Sequence, residues 1–148
     1  MADKKIERKD IAYTGLFVKD IPKLLEQFPP KHPRVFAHHS TITGGGSLDG
    51  IEVGKECSIK IIGRVFDDKG DALLVENPKS TSKYPHITLS CAEGTKPVYS
   101  FQMIQHADRL GIIDYFDSPI TVNVTEGYSN GPQDFIEKGI YEITDKKK

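Results

Sequence analysis

The sequence has few of the features that assign a chain to a specialised class. It holds only two cysteines among 148 residues, Cys57 and Cys91. Neither stands in a CxxC or CxxH spacing, which argues against a disulfide framework and against a structural zinc site. Both are expected as reduced, packed thiols. Charge of either sign is not in excess: 20 Lys and Arg against 21 Asp and Glu leave a formal net charge of -1. No overall positive field marks a long nucleic-acid duplex as partner, while a small or local phosphate ligand stays open. No stretch approaches the roughly 18 apolar residues of a membrane span, and the N-terminal MADKKIERKD is charged where a signal peptide needs an apolar run. A cytoplasmic or nuclear location without a membrane partner is expected. The C-terminal DKKK carries no cysteine for prenylation and reads as a solvated tail.

Repeats and low-complexity segments are also missing, apart from the two charged ends. A chain of about 150 residues can bury roughly 70% of its unfolded surface, so one domain is expected. The layout expected is a charged tail over 1–10, a single domain over 11–144 and a basic tail over 145–148.

Within that domain, IAYTGLFV (11–18) is apolar and β-leaning. DIPKLLEQF follows as a short helix, with Asp20 as N-cap, Pro22 in the first turn, and Leu24, Leu25 and Phe28 at helical spacing. Pro29, Pro30 and Pro33 stop it and lead into RVFAHHSTIT, a second strand. TGGGSLDG reads as a loop. It is not a phosphate-binding loop, because Gly54-Lys55 has Asp49 where that pattern needs glycine and Glu56 where it needs Ser or Thr. CSIKIIGRVFDD and DALLVEN flank Lys69-Gly70 as a β-hairpin, and a further strand starts at His86. KPVYSFQMIQHADRLG is the second helix, with Val98, Phe101, Ile104 and Leu110 near helical spacing and Gly111 as C-cap. PITVNVTEGYS and FIEKGIYEIT read as two closing strands. The sum is an α+β domain with largely antiparallel sheets.

One pattern occurs twice on predicted strands: HSTI at His39 to Ile42 and HITL at His86 to Leu89. Alternation places His39 with Thr41 on one strand face and His86 with Thr88 on one face of the other. His38-x-Ser40 is a competing choice in the first strand. Facing His38 and Ser40 to a ligand would turn Phe36 and Ile42 the same way, so the register that buries those two favours His39. His106 and His32 are expected as surface residues.

Paired H-x-T motifs are the signature of the 2H phosphoesterase superfamily, which this chain resembles. HITLSCAEGTKPV, then a helix, then ITVNVTEGYSNG, is similar to the end of the catalytic domain of 2′,3′-cyclic nucleotide 3′-phosphodiesterases. The cyclic phosphodiesterase domains of tRNA ligases share the paired motif. The resemblance covers residues 11 to 144, with specific matching at the two motifs and after His86. The segment between the motifs is shorter here, and Tyr84 and Pro85 stand where those enzymes carry a basic residue.

The resemblance implies a two-lobed α+β fold, with antiparallel sheets around a central groove and flanking helices. It implies hydrolysis of the 2′,3′-cyclic phosphate of a nucleotide or RNA terminus to a 2′-phosphate, with no metal and no cofactor. His39, Thr41, His86 and Thr88 would be catalytic; Tyr84, Pro97, Val98 and Tyr128 would border the substrate. By family analogy His86 activates water and His39 protonates the departing 3′-oxygen, a division of labour that two facing imidazoles suit. The threonine hydroxyls would donate to the non-bridging oxygens. Two other readings stay open: cleavage of 2′,5′-linked oligoadenylate by the same residues, and a non-catalytic module binding RNA ends or protein. Near-neutral charge and the lack of long heptads point to a monomer.

Overall fold

The computed structural model describes residues 4–45, 48–138 and 141–144. β1 (Lys4–Glu7) opens the chain, β2 (Tyr13–Val18) follows, and α1 (Ile21–Gln27) starts where expected. Asp20 accepts the Lys23 backbone N–H at 3.1 Å, and Pro22 sits in the first turn, where no N–H is required. The strand expected over RVFAHHSTIT is instead broken into β3 (Arg34–Val35) and β4 (His39–Gly44). The break lies at Ala37, a non-glycine residue at φ 56°. β5 (Glu56–Phe66) and β6 (Gly70–Glu76) form the expected hairpin. Its turn is closed by Asp67, whose Oδ1 accepts the N–H groups of Lys69 and Gly70, each at 2.8 Å.

β7 (His86–Cys91) and α2 (Tyr99–Leu110) come next, and Gly111 ends the helix in the left-handed region at φ 66°. The buried face of α2 is Ser100, Met103, Ile104 and Ala107. Leu110, expected on that face, is 58% exposed, because the helix stops one turn beyond its last buried residue. Val98 precedes the helix as its N-cap. β8 (Asp114–Ser129) starts earlier than PITVNVTEGYS indicated, and β9 (Asp134–Phe135) and β10 (Tyr141–Thr144) close the chain.

Six strands close into an antiparallel barrel in the order β2-β4-β7-β6-β5-β8, and β8 returns to β2 from Tyr13↔Ser129 to Val18↔Val124. This is an α+β architecture with two α-helices among the described residues. Each of the six strands sends apolar side chains into one cluster, among them Leu16, Ile42, Leu89, Leu73, Ile61 and Val124. Leu24 of α1 and Phe28, its C-cap, join that cluster. α2 instead packs on the outside of the hairpin, its Met103, Ile104 and Ala107 against Val65, Ala72 and Leu74. Alternation therefore sorts every barrel strand into an inner apolar face and an outer face.

Residues 4–7, assigned to the charged tail from the sequence, pair in parallel with β10. Ile6 is buried with Ile11, Val53 and Tyr128. The basic tail expected at 145–148, and residues 46–47 of the expected loop, lie outside the described residues. Cys57 is half-buried, Cys91 is buried, and both are free thiols. Among the described residues no helix is long and apolar enough to cross a membrane.

Candidate active site

β4 and β7 are hydrogen-bonded neighbours that meet at Ser40↔Ile87. Ser40 and Ile87 point inward and are fully buried. The residues flanking them in sequence therefore point outward: His39 and Thr41 on one strand, His86 and Thr88 on the other. All four line one cavity of about 500 Å³ on the outer surface of the barrel. Pro97, Val98 and Phe101, from the turn before α2 and its first residues, form one wall, and Tyr13, Phe36, His38 and Gly131 complete the lining.

Ser40 belongs to the interior, where its Oγ accepts from Asn77 Nδ2 at 3.0 Å. That fixes the pair as His39 with Thr41. A continuous strand would put Phe36 and His38 on the buried face with Ile42, yet both line the cavity. The turn at Ala37 interrupts the alternation, so the parity read from a continuous strand does not extend back past it.

The two catalytic candidates are held differently. His86 Nδ1 lies 2.7 Å from the carbonyl oxygen of Tyr84. A carbonyl only accepts, so Nδ1 carries the proton and the neutral ring presents a bare Nε2. Burial pulls the His86 pKa below the ordinary 6.5, partly opposed by that carbonyl. His39 is stacked on Tyr13 with centroids 4.5 Å apart, and its Nδ1 lies 2.9 Å from Nδ1 of His38. The pKa of His39 falls to about 4, chiefly through burial and then through His38, with Asp134 opposing and His86 adding to the fall. His38 in turn places Nε2 2.6 Å from Asp134 Oδ2.

Thr88 Oγ1 is 2.8 Å from Ser100 Oγ on α2. When Ser100 donates, the Thr88 hydrogen has only the long 3.5 Å contact to the Pro97 carbonyl oxygen and can turn toward an anion in the cavity. Thr41 is exposed to the cavity opening.

Two candidates are not in the cavity. Tyr84 is buried against α2, its ring packed edge-on to Phe101 and its hydroxyl donating to Asp108 Oδ2 at 2.6 Å. It reaches the site only through its backbone carbonyl on His86. Tyr128 is 3% exposed and stacks on Phe135 with centroids 4.7 Å apart. As an even-numbered residue of β8, opposite Thr14 of β2, it turns away from the face that holds Tyr13. His32, expected on the surface, is half-buried and its Nε2 reaches the carbonyl oxygens of Asp67 at 2.8 Å and Gly70 at 3.2 Å. His106 is exposed as expected.

Tyr13, Ser100 and Asp134 have no signal in the sequence, while His38 reads there only as the alternative to His39, Phe36 as a buried residue and Phe101 as part of the second helix. Tyr13 precedes Gly15 and Phe17 on the outer face of β2, and Phe17 lies opposite His39; the pairing partner had to be known before that face meant anything. Asp134 arrives on a two-residue strand with no periodicity to read. Among the described residues no three His, Cys, Asp or Glu side chains converge as metal ligands.

In comparison with known proteins, no family model and no curated sequence matches this chain.

Proposed function

We propose that this protein is a metal-independent phosphodiesterase that opens 2′,3′-cyclic phosphates of nucleotides or RNA ends to 2′-phosphates. The observation that supports it is the convergence of His39, Thr41, His86 and Thr88 on one cavity. Opening the ring needs a base on the attacking water and an acid on the departing 3′-oxygen, in line across phosphorus. His86, with its bare Nε2, takes the water proton. His39, whose Nδ1 is engaged by His38, offers Nε2 to the departing oxygen. The hydroxyls of Thr41 and Thr88 hold the non-bridging oxygens as charge builds on them. Tyr13, Phe36 and Phe101 give the same cavity apolar, aromatic walls suited to a nucleobase. Membership of the 2H phosphoesterase superfamily is part of the proposal, as is its two-lobed plan. A monomer acting in the cytoplasm is the setting proposed.

The test is turnover of 2′,3′-cyclic AMP and of an RNA with a 2′,3′-cyclic end, in EDTA, with product position read by 31P NMR. His39→Ala and His86→Ala should each abolish turnover while the protein stays folded. Turnover that survives both places the chemistry elsewhere. Cleavage confined to 2′,5′-linked oligoadenylate replaces the substrate, and tight binding of cyclic ends without turnover makes the protein a binding module.

A further inference from the structure

His39 is assigned as the acid, yet it is held in a setting that resists a positive charge, stacked on the Tyr13 ring and against a second imidazole. A neutral ring that merely carries Nε2–H is a feeble acid unless something replaces the proton as it leaves.

The neighbouring groups supply what is missing. Asp134 Oδ2 sits 2.6 Å from His38 Nε2, and a carboxylate only accepts, so that nitrogen keeps its proton. His38 Nδ1 faces His39 Nδ1 at 2.9 Å, with the two rings edge-on at 89°. Two nitrogens at that distance share one hydrogen, which leaves two arrangements. With a neutral His38, the shared hydrogen belongs to His39 and its Nε2 is bare. With one proton more, the shared hydrogen belongs to His38, His39 carries Nε2–H, and the positive charge rests on His38 beside the carboxylate.

We propose that Asp134 and His38 are positioning residues that form a proton relay, arming His39 as an acid while keeping the charge off its ring. This rests on the reading of His39 as the group that protonates the departing oxygen. In the step itself, the His39 Nε2–H bond breaks and an O–H bond forms on the 3′-oxygen as the P–O3′ bond breaks. The shared hydrogen crosses from His38 Nδ1 to His39 Nδ1, and His38 becomes neutral with its remaining proton on Asp134. The attacking water gives its oxygen to phosphorus and its proton to His86 Nε2. Both rings stay fixed throughout, and no proton is created or lost.

The arrangement also explains the second histidine of FAHHSTIT. Adjacent strand residues face opposite ways, and it is the turn at Ala37 that brings His38 to the side of His39. Asp134 is delivered by the β8–β9 hairpin, where Gly127 is needed: a Cβ there would collide with the Phe135 carbonyl oxygen.

The titratable groups facing the pair are Tyr13 from β2, His86 from β7 and Asp134 from β9, and α2 with the turn before it brings only Pro97, Val98 and Phe101 to the cavity. The test uses Asp134→Asn, which keeps the shape and removes the charge, and His38→Gln, which cannot carry a shared proton. Asp134→Asn should move the alkaline limb of the kcat/KM profile down by about one pH unit and leave the acidic limb in place. His38→Gln should lower kcat on a 2′,3′-cyclic phosphate about 100-fold with KM little changed, and lower hydrolysis of a p-nitrophenyl phosphodiester, whose leaving group needs no proton, less than about tenfold. An unmoved alkaline limb, or equal losses on both esters, overturns the relay. The 15N shifts of His39 read the same link without turnover: in Asp134→Asn its Nε2 should gain a proton only at lower pH than in the unaltered protein. If that titration does not move, the relay is wrong whatever the activity. If it moves in a protein that hydrolyses no cyclic phosphate, the relay stands and the phosphodiesterase reading falls.

Discussion

The Tyr84 carbonyl fixes the proton of His86: the 2.7 Å contact to Nδ1 leaves Nε2 as the basic nitrogen in the neutral ring. Because burial lowers the His86 pKa, the base stays unprotonated below the ordinary histidine range. The acidic limb of the kcat/KM profile should therefore lie below about pH 6.5. His86→Gln should lose on the order of 10²- to 10⁴-fold in kcat with a modest change in KM. A profile falling at or above the free-histidine value would assign the base to another group.

Thr88 and Ser100 act as a pair of hydroxyls 2.8 Å apart. Thr88→Val removes the donor to the developing charge and should lower kcat about 10²- to 10³-fold, while Thr88→Ser should keep most of it. Ser100→Ala should fall between the two, since Thr88 Oγ1 loses the hydroxyl that holds it at 2.8 Å while the Pro97 carbonyl oxygen, 3.5 Å away, still competes for its hydrogen. Steady-state kinetics on a cyclic phosphate checks the order of the three variants.

His39 makes stability depend on pH with a definite sign. Its pKa is 6.5 when unfolded and about 4 when folded, so between those values the unfolded chain binds more protons. The contribution is fully present above 6.5 and is lost as pH falls toward about 4. Urea unfolding at neutral pH and at about pH 5 should show the loss, and His39→Gln should flatten the difference. An unchanged slope in that variant would mean that other groups set it.

Away from the site, Glu126 is 1% exposed and accepts from Lys79 Nζ at 2.7 Å and from the Glu52 backbone N–H at 2.8 Å. Lys79→Met should cost about 2–3 kcal/mol, because it leaves a buried carboxylate without its cation; the lysine end is partly exposed, which keeps the loss near the low end. Replacing both, as Lys79→Met with Glu126→Gln, should recover part of it. Denaturant unfolding of the single and double variants provides the measurement.

Gly127→Ala should push the β9 strand off β8 and weaken the contact of Asp134 with His38, at a cost of about 1–3 kcal/mol. The same variant should lower kcat more than it raises KM. Wild-type kinetics in a folded Gly127→Ala protein would show that the strand can shift without disturbing the histidines.

The parts of the fold set by local chemistry were legible. Asp20 and Gly111 cap their helices as their residue types require, and the Lys69-Gly70 turn joins the two strands expected beside it. The grouping of His39, Thr41, His86 and Thr88 was legible too, because alternation needs only the strand and its parity. Tyr84 and Tyr128 misled because an aromatic residue beside a motif looks the same whether it faces a ligand or a core, and only the tertiary packing decides. His38 was hidden by one backbone angle at Ala37, because alanine, unlike glycine or asparagine, is not a residue that signals a left-handed conformation. Asp134 was hidden because a short strand reaches the site through a hairpin that no periodic pattern announces.

β4 and β7 lie side by side in a ring without a free edge. The two strands share one register pair, Ser40↔Ile87, and parting them would break the closed ring and bare Ile42, Ile87 and Leu89 to water, so no partial opening separates the imidazoles at low cost. Loss of catalysis on heating should therefore coincide with global melting, with no inactive yet folded plateau beforehand.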